Sequence, residues 1–530
     1  MSTAAATATR AVSWRRAWAS RGRWPLVTLA GALLAVAFVL LPLTFLVVQA
    51  QQNGWDEVQR LVFRHSVAVL LWNTVRLAVA CTLLCAVLGV AAAWCVERTD
   101  VPARRLLAVL LVLPLGIPDF VVGFGWVSID PGLRGYLAAV MIMTLSLYPL
   151  VYLPVASAMR NLDEGLEEAA RSLGLGPWRT FARVTLRQVR PAVLGGCLLV
   201  TLALLAEYGA FEIVEYRTFT VAIFTQFKLG FDTAAACSLS LVLVVLSIAV
   251  LAGELALSGP SGTRRSGPGA RRPPRRVRLG RAGLPALAGL CALVALALGV
   301  PAGSIGYWLA HGGSSTLPGT SIASAIAHTA LYSAAAAALA TVLAIPVVML
   351  CTRYRTRFTV LLERLAYLPM ALPGIVVALG LVSFTIHHAF SLYQSSAELI
   401  AAYAILFLPL ALVGVRSSIG AAPARLEELA RSLGAGPATV WRRVTLPLIA
   451  PGLAVAFALV FISSATELTA TLVLRPTGVN TLATRFWAYT SELSYGSAAP
   501  YAALMVAVSA IPAYLLSRRL TRPTGTGSRR

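Results

Sequence analysis

Few charged residues in this chain recur at a fixed spacing, and those that do set the chemistry open to it. The stretch Leu166-Glu-Glu-Ala-Ala-Arg-Ser-Leu-Gly-Leu-Gly-Pro177 returns 260 positions later as Leu426-Glu-Glu-Leu-Ala-Arg-Ser-Leu-Gly-Ala-Gly-Pro437, and Arg183-Val-Thr-Leu186 returns as Arg443-Val-Thr-Leu446. Fifteen of the 26 positions from Leu166 to Pro191 are identical between the copies. Two further acids, Glu207 and Glu467, stand at the same offset of 260 within apolar runs. Carboxylates and arginines so placed can form ion pairs and grip a partner. They do not break bonds by themselves: no nucleophile is paired with a base, and the five histidines are scattered. A polar segment written twice in an oily chain points to two equivalent docking points for a soluble partner.

The elements that must carry these residues are membrane helices. Hydrophobic residues make up 58% of the 530 positions and charged ones 12%, and the mean hydropathy is +0.78, which leaves too little polar surface to coat a soluble particle. The formal charge of +23 does not indicate nucleic acid, because the basic residues sit between apolar spans and not in a groove with aromatics. Lys228 is the one lysine, and no glycine-rich phosphate loop precedes it, so the chain lacks the Walker loop needed to hydrolyse ATP by that route. The seven cysteines contain no Cys-x-x-Cys, which argues against a disulfide framework or a zinc site. Cys81 and Cys85 share a helix face and read as small hydrophobes in preference to soft-metal ligands. His387 and His388 read as interfacial residues at the outer end of a span. Arg10 to Arg23 leads directly into a full-length apolar span, the pattern of an uncleaved start.

About 20 apolar residues of helix cross a bilayer core, and twelve segments meet that measure. They lie near 26–49, 67–94, 104–129, 133–156, 191–210, 235–257, 284–308, 322–350, 359–388, 395–415, 450–474 and 498–518. The expected fold is all-α and polytopic. With the N-terminus inside, about 36 of the 44 basic residues fall in cytoplasmic segments, which fixes the orientation. The domain organisation follows: 1–25 a basic cytoplasmic N-terminus, 26–258 a first unit, 259–283 a Gly/Pro/Arg-rich cytoplasmic linker, 284–518 a second unit, and 519–530 a cytoplasmic tail. The linker is expected to touch anionic headgroups of the bilayer. Six spans return the chain to its starting side, so the halves are parallel repeats. Further landmarks agree: Pro114 and Pro118 match Pro369 and Pro373 at an offset of 255, and Pro149 matches Pro409 at 260.

In the first polar copy, Leu162, Leu166, Ala169, Ala170 and Leu173 fall at helical spacing, with Glu164, Glu167 and Glu168 early and Arg171 late. That order suits the helix dipole. Gly174 supplies a left-handed residue to close the helix, and Pro177 opens a second one. A lipid-anchoring helix would constrain hydrophobicity and charge but not residue identity, so the matched copies weigh against it.

These residues resemble the cytoplasmic loop of binding-protein-dependent ABC importer permeases, whose pattern is Glu-Ala-Ala, three residues, Gly, nine residues, then an aliphatic, any residue, Leu and Pro. Glu168-Ala169-Ala170, Gly174, Val184 and Leu186 fit it in the first copy, and Glu428, Ala430, Gly434, Val444, Leu446 and Pro447 in the second. Arg187 replaces the final Pro in the first copy and Leu429 the middle Ala in the second, so the docking contacts are expected to be unequal. The resemblance covers nearly the whole chain as two fused permease units and implies the type I ABC importer permease fold with two six-helix repeats. It further implies that Glu167, Glu168, Ala169, Ala170 and Gly174, with Glu427, Glu428, Ala430 and Gly434, form loops that seat in two ABC ATPase subunits. On this reading ATP and Mg are used by those partners and no cofactor is bound by this chain. An extracytoplasmic binding protein, the bacterial inner membrane and cytoplasmic termini are implied in the same way.

Acids in spans are costly and functional by default. Glu207, Tyr208 and Glu467 are therefore expected at the translocation path, with pairing to Arg217 and Arg475 or a place in the headgroup zone as the alternative. Pro114, Pro118, Pro369 and Pro373 break the third and ninth spans, either lining the path or kinking helices for packing. The stretch from Glu207 and that from Tyr216 to Ile223 look most like ferric-iron permeases, with thiamine and aminoalkylphosphonate permeases similar in pattern; spacing and composition do not pick the cargo. A secondary transporter would also use twelve spans, but it has no reason for matched cytoplasmic loops.

Overall fold

A computed structural model describes residues 24–52, 54–160, 162, 164–230, 232–258, 277–312, 319–354, 356–421 and 424–521. The basic N-terminal segment up to residue 23, the linker over 259–276 and the tail from 522 lie outside the described residues. Helix dominates the described chain, as bilayer immersion demands, because a helix satisfies every backbone donor and acceptor within its own segment.

Among the described residues nine helices are long and apolar enough to cross a membrane: Leu26–Gln49, His65–Arg98, Gly135–Arg160, Phe181–Ala206, Thr233–Glu254, Gly280–His311, Ser321–Arg353, Ser396–Ile419 and Pro437–Ala465. A tenth span is the bent pair Arg104–Gly116 and Asp119–Val127, which turns by 94° at its break. The expected ninth span is broken likewise, into Arg357–Ala366, a 3-10 turn at Leu368–Ala371, and Gly374–His388. The expected twelfth is the helix Tyr495–Thr521. Each expected segment is thus largely helical; the third and ninth, which hold the proline pairs, are broken within the span, and the fifth and eleventh are interrupted at Glu207–Tyr208 and Thr466–Leu468. Pro118 and Pro373 lie two residues beyond a 3-10 stretch, in extended backbone (ψ 141° and 145°), and sit immediately before the next helix. The pyrrolidine ring cannot donate the hydrogen bond that would continue the first helix.

Two compact units emerge, and each draws on both halves of the sequence. Among the described residues, one comprises those up to Pro42, within Ala330–Met370 and within Ser396–Ser464; the other comprises those within Leu43–Thr329, within Ala371–Ser395 and from Ala465 to Thr521. The first has a core rich in small residues, including Ala337, Ala340, Ala344, Ala404 and Ala411, which lets helix backbones approach closely where lipid supplies no hydrophobic drive. In the second, Gly89 and Gly196 both face Val151, and a Cβ on either would come within 2.8 Å of it. These glycines set the packing of the His65–Arg98 and Leu186–Ala206 helices on Pro149–Arg160. Outward faces stay apolar, as at Leu83 (62% exposed), Val87 (65%) and Val342 (62%), which suits contact with lipid.

Candidate functional site

Each polar copy folds as a nine-residue helix, Glu164–Ser172 and Ala424–Ser432, closed by a left-handed glycine. Gly174 and Gly434 both have φ +83°, and Leu175 N and Ala435 N donate back to Ala170 O and Ala430 O at 3.1 and 3.0 Å. A β-carbon at either glycine would meet nothing within 4 Å. What requires glycine there is the backbone angle, not space.

Burial on these helices runs opposite to the usual amphipathic rule. The leucines are outside: Leu166 is 50% exposed, Leu173 83%, Leu426 42%, Leu429 60% and Leu433 80%. The acids Glu167 and Glu427 are inside, each 4% exposed, while Glu168 and Glu428 are on the surface. Ala169 is exposed and Ala170 buried; Ala430 is half-buried.

A buried carboxylate persists only when paired and fully hydrogen-bonded, and both are. Glu167 accepts from Arg98 and, at 2.7 Å, from Thr185 Oγ1, with Arg171 at 3.7 Å. Glu427 accepts from both terminal nitrogens of Arg353, one at 2.6 Å, and from Thr445 Oγ1 at 2.9 Å, with Arg431 at 3.7 Å. Arg98 and Arg353 are the last residues of the helices His65–Arg98 and Gly319–Arg353. Thr185 and Thr445 close matching π-helical turns, Phe181–Thr185 and Trp441–Thr445, whose extra residue turns the threonine toward the acid. Burial alone would raise the Glu427 carboxyl, but hydrogen bonds and charge from Arg353, then Thr445 and Arg431, outweigh it and hold the group below the usual carboxylate range.

The two clamps differ in their access to water. The side chains of Arg98 and Glu167 are 4% and 6% exposed, and Arg98 Nη1 is buried without an acceptor. Arg353 is 26% exposed and borders a cavity of about 60 Å³ shared with Thr28, Glu427, Arg431, Trp441 and Thr445. That volume admits water.

Arg98, Arg353, Thr185 and Thr445 were not legible as site residues in the repeat alone. A signal for the arginines exists: each is the basic residue ending the second span of its half, and they are 255 apart, the offset of the proline pairs.

At the C-terminal end of the Leu186–Ala206 helix, Glu207 turns back onto the next short helix. Its Oε1 accepts from Ala210 N at 2.7 Å, and Glu467 Oε1 accepts from Ala470 N at 2.9 Å, so each glutamate caps the short helix that follows. Among the described residues no ion pair joins Glu207 to Arg217 or Glu467 to Arg475; Arg475 donates instead to Asn480 Oδ1 at 2.7 Å. Both glutamates are half-buried. A third acid, Asp119, follows Pro118, accepts from Ser146 and lies with Glu467 within electrostatic reach of Glu207. Its counterpart after Pro373 is Gly374, where a Cβ would sit 2.8 Å from Glu467 Oε1. Tyr208 is buried against Phe224 and Trp487, with ring centroids at 4.5 and 5.4 Å. Pro114, Pro369 and Pro373 are buried, and Pro118 is half-buried. His388 stacks on Phe384, and Cys81 and Cys85 donate to Val140 O and Thr144 O in the core.

Comparison with known proteins agrees with this layout. The family described as "Binding-protein-dependent transport system inner membrane component" matches residues 86–255 and 344–522, more than half of the chain, so the repeat is two copies of one unit. An Fe(3+)-transport system permease protein of Haemophilus influenzae is 38% identical over 482 residues, covering 90% of this chain and 95% of that protein. A molybdenum transport system permease protein of Escherichia coli is 30% identical over 188 residues, 31% of this chain and 82% of its own. A sulfate transport system permease protein of the same species is 27% identical over 246 residues, 42% of this chain and 89% of its own. With two family units, a matched pair of short polar helices and at least nine apolar spans, this chain belongs to the family of inner-membrane permease components of binding-protein-dependent ABC transport systems.

Proposed function

We propose that this chain forms the translocation path of an ATP-driven importer for ferric iron, working with two ABC ATPase subunits and an extracytoplasmic iron-binding protein. The cargo rests on one observation: the iron permease aligns across both halves, whereas the sulfate and molybdenum relatives align over less than half of this chain. The units are 26–258 and 284–518, joined by the basic linker 259–283, with the segment 1–25 and the tail 519–530 on the cytoplasmic side.

In this reading Glu168 and Glu428 meet basic or amide groups of the ATPases, and the bare leucines around them fill apolar hollows. Nucleotide-driven closure of the ATPases draws the two helices together and switches the permease between inward-open and outward-open states. Glu207, Tyr208 and Glu467 border the path at the broken spans. ATP and Mg are handled by the ATPase subunits. Proteoliposomes holding the permease, its ATPases and its binding protein should accumulate ⁵⁵Fe(III) only with internal or external ATP on the ATPase side. Accumulation of labelled thiamine, sulfate or molybdate but not iron would replace the cargo, and iron uptake without ATPase subunits would overturn the whole reading.

A further inference from the structure

The helix that ends in Arg98 also has an anchored outer end. Thr74 Oγ1 accepts from Phe219 N at 3.2 Å, Asn73 Nδ2 donates to Arg217 O at 3.3 Å, and Tyr216 OH donates to Asn73 O at 2.9 Å. Arg76 lies over the Tyr136 and Tyr216 rings, 4.6 and 5.6 Å from their centroids, and its Nε donates to Tyr216 OH at 2.9 Å. The segment held this way, Tyr216 to Phe219, leads straight to Thr220, whose Oγ1 donates to Glu207 O at 2.6 Å.

One unbroken helix, His65–Arg98, therefore grips the cytosolic helix at one end and the Glu207 segment at the other. Thr74 and Arg98 are 24 residues apart, about 36 Å at 1.5 Å per residue. The second half repeats both anchors. Arg353 holds Glu427, and Thr329, at the same 255 offset from Thr74, has its Oγ1 accept from Leu482 N at 2.9 Å on the same helix Gly319–Arg353.

We infer that the His65–Arg98 helix is the rod that carries the ATPase stroke from the Glu164–Ser172 helix to the Glu207 segment, with Arg98 and Thr74 as the positioning residues at its two ends. This rests on the importer reading above. A connection through Phe181–Ala206 alone, the helix that directly follows the cytosolic loop, would not need an arginine ion pair only 4% and 6% exposed at its neighbour's end or a hydroxyl that accepts from Phe219 N. The rod moves as a unit because its inner charges are locked by a bonded network, and because close packing at Gly89 leaves no room for it to slip along Val151.

The test uses the assembled permease and ATPases in proteoliposomes, with a cysteine replacing Ala206 as reporter and the unsubstituted protein as background. The probe is a membrane-impermeant maleimide, read with and without ATP plus vanadate, so the cargo plays no part. Arg98→Met/Glu167→Met removes the inner anchor while keeping apolar packing; Thr74→Val removes the outer one. The expected result is a nucleotide-driven change in labelling rate reduced about fivefold or more in both variants, with ATP hydrolysis by Thr74→Val within about twofold of the parent. Thr74→Ser should restore the response, which a merely steric role for Thr74 would not produce. Should the Met pair fail to assemble, Thr74→Val at the far end decides. A full nucleotide response in Thr74→Val overturns the rod. Absence of any response in the parent overturns the importer reading and the rod with it.

Discussion

Glu167 and Glu168 are chain neighbours with opposite fates: the first is 4% exposed and held by Arg98 and Thr185, the second is on the surface with no partner from its own clamp. Glu427 and Glu428 repeat the division. A helix advances about 100° per residue, so one acid can fasten the helix to the membrane domain while the next remains free for a partner. On the proposed reading this division of labour would let a small surface helix transmit force, since a helix merely lying on the bilayer would slide when pulled.

Breaking the first clamp from one side should cost far more than removing it whole. Arg98→Gln leaves Glu167 buried with only the more distant, half-exposed Arg171 at 3.7 Å, a defect approaching that of a broken buried pair, about 3–5 kcal/mol, whereas paired methionines of similar volume are near neutral or stabilising. Thermal unfolding in detergent checks this: a marked loss of stability for Arg98→Gln and little loss for Arg98→Met/Glu167→Met. Because water reaches Arg353 through the adjoining cavity, Arg353→Gln should be the milder of the two single changes.

The bare leucines should matter for association and not for folding. Leu173→Asp and Leu433→Asp change side chains that are 83% and 80% exposed, where substitutions shift stability by about 0.5 kcal/mol or less. Co-purification with the ATPase subunits should fall about tenfold or more if these residues fill pockets, while the unfolding temperature stays unchanged.

Gly174→Ala and Gly434→Ala should each cost about 1–2 kcal/mol locally, since a left-handed backbone at +83° strains any β-carbon. Gly174→Pro goes further, fixing φ at a negative value and deleting the donor now bonded to Arg171 O at 2.9 Å. Loss of ATPase co-purification in the proline variants, with alanine variants intermediate, is the expected order in a pull-down series.

The second clamp should be indifferent to pH across the physiological range. The Glu427 carboxyl is held below its ordinary value, so the stability it adds is present above the unfolded glutamate pKa of about 4.3 and fades only as pH falls through the lower folded value. Trp441, which borders the same cavity, reports it. Its fluorescence should stay constant from pH 8 to about 5 and change in acid, and Glu427→Gln should show the altered signal already at neutral pH.

How much of this was legible in the sequence depends on what each residue must satisfy. The spans, the repeat, the broken third and ninth helices and the left-handed glycines were readable, because bilayer length, proline and backbone angle act locally. The inversion on the cytosolic helices was not. Apolar Leu166 and Leu173 at helical spacing predict a buried stripe, and only the tertiary placement of Arg98, 69 positions before Glu167, turns the helix acid-side in. Asp119 was missed for a related reason: its half has the acid where the other has Gly374, so the repeat drew no attention to it. The spacing of Glu207 and Glu467 allows a pathway, ion-pair or headgroup role, and their capping of the following short helices depends on a chain reversal that no periodicity announces.

The proposed contact of the exposed acids with the ATPases is tested most directly by cross-linking. Cysteines replacing Glu168 and, separately, Glu428 should form disulfide or short bismaleimide links to the ATPase subunits in the assembled complex, at rates that change with ATP. An assembled complex that transports its cargo with ATP yet yields no link from either position, or labelling of these cysteines from the extracytoplasmic side, would contradict the account.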